Sequence, residues 1–385
     1  MEKFRRNIWE GSARMPLSVC IITKDEEQNI ARCLECLAPY GFELIVADTG
    51  SSDRTKEIAL RYTDKVYEFP WCDDFAAAKN FAVSKASGDA VMVVDADEFL
   101  EPVEEEALRK LHRMTEERPE AVGRIYRRNI FRRDGEYREN DEWINRIFSK
   151  KRFFYEGRIH EQITAREGGD YETYRTGLSF VHTGYDLSWE QRKEKAARNI
   201  RLLEQELDCL GYEADEQPAG DGGQAPYLLY QLGKSYYMAK DYEQACLWFS
   251  RGLSYDLEPK LEYVIDMVET YGYALINSGQ AQTALLFESI YDEFGSSADF
   301  QFLMGLIYMN NERFADAVAE FLKAAGHTEC RGRGVNTYLA YYNIGVIYEC
   351  LDKWEEAEEF YRKCRDYAPA QARLNKNGSR RSPVT

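Results

Sequence analysis

The chain has 385 residues, 44% of them hydrophobic and 30% charged, which is the balance of an ordinary globular protein. This length predicts two domains rather than a single core. The formal net charge of −17 argues against general nucleic-acid binding, which requires a basic surface, and no apolar run approaches the ~18 residues that a membrane span needs.

The first residues, MEKFRRNIWEGSARM, are basic but lack the apolar segment and cleavage site of a signal peptide. Nine cysteines, an odd number without a regular framework, are typical of a reducing compartment. The pair Cys33 and Cys36 has the spacing of ordinary packing on a helix, and no second pair follows at zinc spacing. We therefore expect a cytoplasmic protein.

Apolar strands and amphipathic helices alternate from residue 17 to residue 94. Strands are predicted at 17–25, 42–47, 65–69 and 90–94, and helices at 26–37, 54–62 and 75–86. This alternation predicts right-handed βαβ units and a mostly parallel, Rossmann-like α/β sheet. Ligands of such sheets gather at the carboxyl ends of the strands, where Thr23, Asp48, Asp95 and Asp97 all lie.

The segment GDAVMVVDADEFL places Asp95 and Asp97 at the end of a buried strand. Unpaired carboxylates are costly beside a core, and a hard cation such as Mg²⁺ or Mn²⁺, shared with substrate phosphates, would explain them. The alternative is that one carboxylate caps a turn while the other is solvated.

Beyond residue 118 the chain is locally basic, with strand-like pieces at 123–131 and 144–148. This segment is either a solvated face or a positive wall for a diphosphate or an acceptor. A strongly helical stretch at 189–207 completes a predicted first domain of residues 1–207. Residues 208–226, rich in Gly, Pro and Asp, are predicted to be a linker.

The C-terminal half is a repeat array. Gly233, Gly272, Gly305 and Gly345 are each followed twelve residues later by an alanine, and in three of the four repeats an aromatic residue follows sixteen residues later. The exception is Glu288 in the second repeat. Small residues that let paired helices approach, with aromatics between them, form the tetratricopeptide pattern. We predict an all-α repeat domain over 227–370 and a disordered basic tail over 371–385.

Four stretches in order, SVCIITKDEEQNIARCL, IVADTGSSDRT, AAAKNFAVSKASGD and VVDADEFL, resemble family 2 glycosyltransferases of the GT-A fold. The later blocks NRIFSKKRFFYEGRIHEQI and FVHTGYD resemble a bacterial subgroup that carries tetratricopeptide repeats after the catalytic domain. That subgroup includes peptide S-glycosyltransferases and enzymes acting on lipopolysaccharide cores. The resemblance implies an inverting transferase that uses a nucleotide-sugar, here a UDP-sugar, with Mn²⁺ or Mg²⁺.

The resemblance also implies roles for individual residues. On the donor side it implies contacts with the base, the ribose or the diphosphate for Thr23, Glu26, Asp48, Lys79, Asn80 and Asp95. Lys79 stands where the family usually has an arginine, so the charge is kept but the bidentate fork is lost. Asp97 matches the direct metal ligand, with Asp95 beside it, and His182 falls where many such enzymes place a further ligand.

Inverting transfer needs a base for the acceptor proton, and the candidate dyad is His160 and Glu161, with Glu161 the first choice. Trp143 and Arg146 are candidates for the acceptor side, although a tryptophan here could equally belong to the core. The acceptor is expected to be a peptide, protein or glycan held partly by the repeats, which could also form a homodimer.

Three other hypotheses stay open at this point. They are a transferase acting on surface polysaccharide or lipopolysaccharide, a nucleotidyltransferase, and a non-catalytic scaffold built from the repeats. A nucleotidyltransferase usually has a Gly-rich basic loop after its first strand, whereas this chain reads ITKDEEQN there.

Overall fold

The computed structural model describes residues 17–133, 136–183, 189–212 and 223–381. The chain divides into two compact units, 1–188 and 189–385. The predicted boundary at residue 207 differs from this division because helix α5 (Trp189–Cys209) packs in the second unit. There Glu204 accepts a hydrogen bond from the Tyr236 hydroxyl at 3.4 Å. The predicted linker at 208–226 lies largely outside the described residues.

The first unit is built on one large mixed sheet and one small two-stranded sheet. The strands are β1 (Leu17–Thr23), β2 (Glu43–Asp48), β3 (Val66–Glu68), β4 (Ala90–Asp95), β5 (Glu98–Leu100), β6 (Val122–Arg133), β7 (Glu136–Ser149), β8 (Phe153–Glu156), β9 (Gln162–Ala165) and β10 (Thr173–His182). The large sheet has the order β3-β2-β1-β4-β7-β6-β10-β5, and β8 pairs with β9. Strands β1 to β4 run parallel to one another, whereas β4 is antiparallel to β7, and this mostly parallel half of the sheet confirms the predicted α/β class.

Helices cover both faces of the large sheet. They are α1 (Ile30–Leu37), α2 (Thr55–Ala59), α3 (Phe75–Ser84) and α4 (Glu105–Glu117), with a 3₁₀ turn at Ala38–Tyr40. One core joins α1 and α4 to one face through residues such as Leu34 and Leu108. The other face packs against α3 and the small sheet through residues such as Ala82 and Phe153. Buried on both faces, the central strands are continuous apolar runs, as parallel strands require.

An irregularity in the pairing of β6 with β7 positions one site residue. Gly123 pairs with Ile147 while the next residue, Arg124, pairs with Asn145. Arg146 is therefore the extra residue of a β-bulge. Bulges redirect a side chain relative to the regular alternation of a strand, and they often lie beside functional sites.

The second unit is helical throughout its described residues. Its remaining helices are α6 (Ala225–Met238), α7 (Tyr242–Gly252), α8 (Glu262–Asn277), α9 (Tyr291–Phe294), α10 (Ala298–Asn310), α11 (Phe314–Ala325), α12 (Tyr338–Cys350), α13 (Trp354–Lys363) and α14 (Ala368–Arg381), with a 3₁₀ helix at Thr283–Ile290. The first helices of the four repeats are α6, α8, α10 and α12. Where a disordered tail is predicted from residue 371, α14 continues to Arg381, and its first turns are rich in the good helix formers Ala, Gln, Arg and Leu.

Close approach of the paired helices explains the spacing of glycine and aromatic residues. A Cβ atom on Gly305 would lie 2.7 Å from ring atoms of Phe321, and Gly345 faces Tyr361 in the same way. In the second repeat the aromatic residue comes one position early, as the fully buried Phe287 instead of Glu288. The segment that carries it is a 3₁₀ helix, in which residues three apart share a face, so Ala284 and Phe287 still align.

The array therefore keeps its packing where its sequence pattern fails.

Among the described residues, no helix has the length and apolarity to cross a membrane.

Candidate active site

Two side chains at neighbouring strand ends, Thr23 and Asp48, are buried and each has an unsatisfied oxygen among the described residues. Thr23 and Asp48 pair across β1 and β2, and they are 4% and 3% exposed. One carboxylate oxygen of Asp48, Oδ2, accepts hydrogen bonds from the backbone N–H groups of Gly50 and Ser51 at 3.2 and 3.0 Å. The other, Oδ1, and the Thr23 hydroxyl have no hydrogen-bond partner among the described residues. Such atoms are costly to leave unsatisfied, so this slot is suited to a polar ligand edge.

Asp95 belongs to a network of buried charges. Its Oδ2 atom lies 2.7 Å from Nη2 of Arg146, and the same guanidinium nitrogen lies 2.8 Å from Oε1 of Glu98. Glu98 is fully buried, binds Arg127 at 2.7 Å and accepts the backbone N–H of Asp95 at 3.1 Å. Burial opposes ionisation of Asp95, yet Arg146 and Lys79 hold its pKa well below the ordinary value.

Lys79 connects this network to the loop after β8. Its ammonium group lies 3.5 Å from Asp95 Oδ1 and forms an ion pair with Glu161, although Lys79 is only 4% exposed. Burial opposes the charge, but the two carboxylates raise the pKa of Lys79 above its ordinary value. Lys79 is therefore a permanent cation here. It can hold or attract anionic groups, but it cannot act as the base.

Asp97 takes a different partner. The chain turns after Asp95, and Asp97 Oδ2 lies 3.2 Å from Nε2 of His182, at the end of β10. The other ring nitrogen, Nδ1, lies 2.7 Å from Oδ1 of Asn129. The amide nitrogen of Asn129 is within hydrogen-bond distance of Asn140 Oδ1 and Glu142 Oε1, at 2.7 and 2.6 Å. The carbonyl oxygen of Asn129 therefore faces the ring, and Nδ1 is the donor.

This tautomer has a consequence for Nε2, the ring nitrogen that faces Asp97. With the Nδ1 proton given to Asn129, a neutral ring presents the Nε2 lone pair to the Asp97 carboxylate, which is unfavourable. A metal ion bound by both atoms would remove this repulsion. An outer hydrogen bond of this kind also orients histidines that bind metals. Among the described residues, however, no group of three or more His, Cys, Asp or Glu side chains could hold a metal ion.

Comparison with known proteins identifies both units. Residues 18–172 match the model of glycosyl transferase family 2, and residues 338–371 match a tetratricopeptide repeat model. Residues 18–172 form a family 2 glycosyltransferase domain. The second unit is a tetratricopeptide repeat array, as its sequence pattern predicts.

Three curated relatives are similar to parts of this chain. Lipopolysaccharide core biosynthesis glycosyltransferase LpsC of Rhizobium meliloti is 31% identical over 44% of this chain and 63% of its own length. The SPbeta prophage-derived glycosyltransferase SunS of Bacillus subtilis is 25% identical over 52% of this chain and 47% of its own length. A TPR repeat-containing protein of Synechococcus elongatus is 46% identical over 23% of this chain and 22% of its own length. The chain thus covers less than two thirds of each of them.

Several predicted site residues of the glycosyltransferase domain have specific local partners. Both ends of the Asn80 side-chain amide bind the backbone of Tyr155, at 2.8 and 2.9 Å, so Asn80 joins α3 to β8, and its contact with the donor stays a prediction. Arg146 is held by Asp95 and Glu98, and its place on the acceptor side stays a prediction. Trp143 packs on Tyr126 with ring centroids 5.3 Å apart, and none of its described contacts joins the Asp95 network.

Two further predictions stay untested by the geometry. The backbone N–H of Glu26 donates to Thr55 at 2.7 Å, and its carboxylate accepts from Asn29 at 2.8 Å, so Glu26 stabilises the turn before α1. His160 has a left-handed backbone with φ of 52°, next to Glu161. That strained position is typical of functional loops, but it assigns no role by itself.

Sequence reasoning missed the residues that organise the site. Glu98, Arg127, Asn129 and Glu142 hold Asp95, Arg146 and His182 in place. The sequence offered a signal for Glu98, because it is followed directly by the apolar residues Phe99 and Leu100. A carboxylate that is buried with such a strand must be paired. Arg127 and Asn129, two residues apart on β6, share one strand face and could have been matched to it.

Proposed function

We propose that the glycosyltransferase domain transfers a sugar from a UDP-sugar to an acceptor held partly by the repeat array. The observation that carries the donor assignment is the unpartnered Oδ1 of Asp48 beside the unpartnered hydroxyl of Thr23. A buried carboxylate oxygen needs a donor, and the imide N–H of uracil is one. Cytosine presents a lone pair at the same ring position, which the carboxylate would repel.

The cationic side chains of the site suit a diphosphate. Lys79 and Arg146 approach Asp95, which retains 34% exposure of its side chain, whereas the Lys79 side chain is almost fully buried. Their charges are compensated in the chain, so the diphosphate would need a further cation. Asp97 and His182 would hold Mn²⁺ or Mg²⁺, which when bound supplies stabilisation of the negative charge on the departing diphosphate.

Two protein ligands fit a magnesium-type ion that keeps its other positions for phosphate and water. Direct coordination by Asp95 is not needed for this, because its carboxylate is already held by Arg146 and Lys79.

Glu161 is the proposed base. As the bond between the anomeric carbon and the diphosphate oxygen breaks, the acceptor oxygen or sulfur attacks the carbon and gives its proton to the Glu161 carboxylate. Lys79 holds that carboxylate in position from α3, and the 12% exposure of the Glu161 side chain leaves it reachable. A thiol acceptor ionises more readily than a hydroxyl and would depend less on this base.

The proposal of a peptide or protein acceptor is supported by the repeat array, since such arrays commonly offer extended binding surfaces. A lipopolysaccharide core acceptor is the second candidate, favoured by the similarity to LpsC. We also propose that the protein works in the cytoplasm, where nucleotide-sugars are made.

The donor assignment can be tested by a substitution of Asp48 that should change the preference for uracil over cytosine. Calorimetric titration of the full chain with UDP and with CDP, both with Mn²⁺, would compare the wild type with Asp48→Asn. The amide of the variant offers an N–H to the base, so UDP affinity should fall about tenfold to a hundredfold, and the preference for UDP over CDP should shrink or reverse.

The control is Asp64→Asn, which makes the same change of charge at an exposed position. Unchanged UDP affinity in Asp48→Asn would refute the base slot. Release of pyrophosphate instead of UDP during turnover would favour a nucleotidyltransferase.

A further inference from the structure

An acidic cluster lies on the first helices of the second and third repeats. Counted from the repeat glycines, Asp266 and Asp299 occupy position −6 of the second and third repeats, and Glu269 occupies position −3 of the second. Positions −6, −3 and +1 fall on one helix face, and Lys234 occupies +1 in the first repeat. We call the surface formed by Asp266, Glu269, Asp299 and Lys234 the acidic face.

The 326–337 loop between α11 and α12 covers this face. The backbone N–H groups of Arg331 and Gly332 donate to the two carboxylate oxygens of Asp299, at 2.8 and 2.7 Å. The Arg331 guanidinium forms an ion pair with Oε2 of Glu269, on a different helix. The loop is thus held on the acidic face by the Arg331 side chain and two backbone groups, and elsewhere by His327, which lies 3.0 Å from Gln301 Oε1, and by the buried Val335.

Glu269 is incompletely satisfied. Its side chain is only 10% exposed, and its buried Oε1 atom has no hydrogen-bond partner in the described part of the chain. Burial raises the pKa of Glu269 to about 7, and Asp299 and Asp266 add to this effect while Arg331 opposes it. A guanidinium can bind both oxygens of a carboxylate, but Arg331 is placed on only one of them.

Arg331 is much more exposed than the carboxylate that it binds. The Arg331 side chain is 46% exposed, whereas the carboxylate beneath it is nine-tenths buried. Asp266 is occupied separately, by Lys234 at 2.8 Å and the Tyr230 hydroxyl at 2.6 Å. Displacing the loop would release Glu269 and Asp299 together and leave three carboxylates facing a single lysine.

We propose that the acidic face is a binding site for an arginine side chain of a basic peptide segment, and that Arg331 occupies it in the free protein as a competing internal ligand. The planar fork of arginine matches the two oxygens of Glu269 better than the ammonium group of lysine does. This inference extends the proposed role of the repeat array in holding a peptide, but it is tested by binding alone.

The test is fluorescence anisotropy with a labelled peptide of six arginines, titrated with the full-length chain at physiological ionic strength. In the wild type, binding is weakened by the fraction of molecules in which Arg331 covers the site. Arg331→Ala should therefore bind the peptide about tenfold or more tightly. The double variant Arg331→Ala with Glu269→Gln should lose this gain. A peptide of six citrullines, which has the same shape but no charge, should not bind.

A second variant releases the loop while keeping the arginine. A Cβ atom on Gly332 would lie 3.0 Å from Oδ1 of Asp299 and 3.1 Å from Val335, so Gly332→Ala should loosen the loop and give a smaller gain in affinity. This variant decides the matter if Arg331→Ala proves poorly folded by circular dichroism.

Equal affinity of the wild type, Arg331→Ala and Gly332→Ala would overturn the proposal and leave Arg331 a loop anchor. A gain that persists in the double variant would also overturn it, because attraction to a chain of net charge −17 would then suffice. Neither outcome affects the UDP titration, so failure here and failure of the proposed transferase are distinguishable.

Discussion

Glu98 offers the sharpest test of how the site is held together. Its carboxylate is fully buried and receives charged hydrogen bonds from Arg127 at 2.7 Å and Arg146 at 2.8 Å. The substitution Glu98→Gln keeps the volume but removes the negative charge. If the amide oxygen stays on the backbone N–H of Asp95, the amide N–H₂ group points at two guanidinium groups.

Breaking a buried ion pair by removing one partner costs about 3–5 kcal/mol, because the remaining charge is left uncompensated. Two arginines lose their shared partner here, although Asp95 and Glu142 retain part of the compensation. We therefore expect a loss near the lower end, about 3 kcal/mol. Since about 1.4 kcal/mol corresponds to a factor of ten, this is roughly a hundredfold change in the opening equilibrium.

Hydrogen exchange followed by mass spectrometry measures this effect in the full chain. Backbone amides of β4 and β7 should exchange about a hundredfold faster in Glu98→Gln, while α10 and α12 of the second unit serve as internal controls. The matched substitution is Glu57→Gln, which also lies between two arginines, Arg54 and Arg61, but has a side chain that is 60% exposed. Unchanged exchange of β4 and β7, or an equal effect of both substitutions, would refute the reasoning.

Three further predictions concern the metal pair, the repeats and the pH dependence of stability. Asp97→Asn should abolish the enhancement of UDP binding by Mn²⁺ in calorimetry without changing metal-free binding more than a few fold; enhancement that survives would remove Asp97 from the metal site. Gly305→Ala should destabilise the array by about 1–3 kcal/mol, because the new Cβ would lie 2.7 Å from Phe321. Denaturant unfolding followed by circular dichroism measures this loss. A smaller cost is expected for the control Gly326→Ala, whose new Cβ would have its nearest contact at 3.2 Å. The pKa of Glu269, about 7 in the folded chain against 4.5 as its ordinary value, means that the folded state binds the proton more tightly. Stability should therefore fall by up to about 3 kcal/mol as pH rises from 4.5 to 7, and Glu269→Gln should lack this slope in denaturant unfolding at a series of pH values.

Much of the fold could be predicted from local hydrophobic patterns, because strands and helices alternate regularly in the first part of the chain. Each predicted element up to residue 94 corresponds to an observed one, within a few residues at its ends. The repeat glycines likewise predicted helix pairs, including the weaker second repeat. Prediction failed where composition was used in place of packing. The basic segment after residue 371 was expected to be disordered, but α14 continues to Arg381.

The site was predictable only in part, for a physical reason. Parallel pairing of β1 with β2 made the proximity of Thr23 and Asp48 readable, since neighbouring strand ends meet at one edge. Arg146, which binds Asp95, comes from β7, and no local pattern of the sequence reveals its antiparallel register with β6 or the bulge between them. A one-residue shift in that register would send Arg146 to another face, so its role could not be derived without the sheet.

The two aspartates of the Asp95-Ala96-Asp97 turn have separate tasks, and this separation explains why the motif resembles a metal site without gathering three ligands. Asp95 is held by Arg146 and Lys79, so a cation placed there would compete with two fixed positive charges. Asp97 faces Nε2 of His182 at 3.2 Å, while Nδ1 of the ring donates to Asn129, so Asp97 and Nε2 are placed to share a cation. Any metal ion should therefore favour the Asp97 side, with phosphate oxygens and water completing its shell. Metal affinity should consequently be low in the free chain and rise when a nucleoside diphosphate is present, because each supplies ligands or charge that the other lacks.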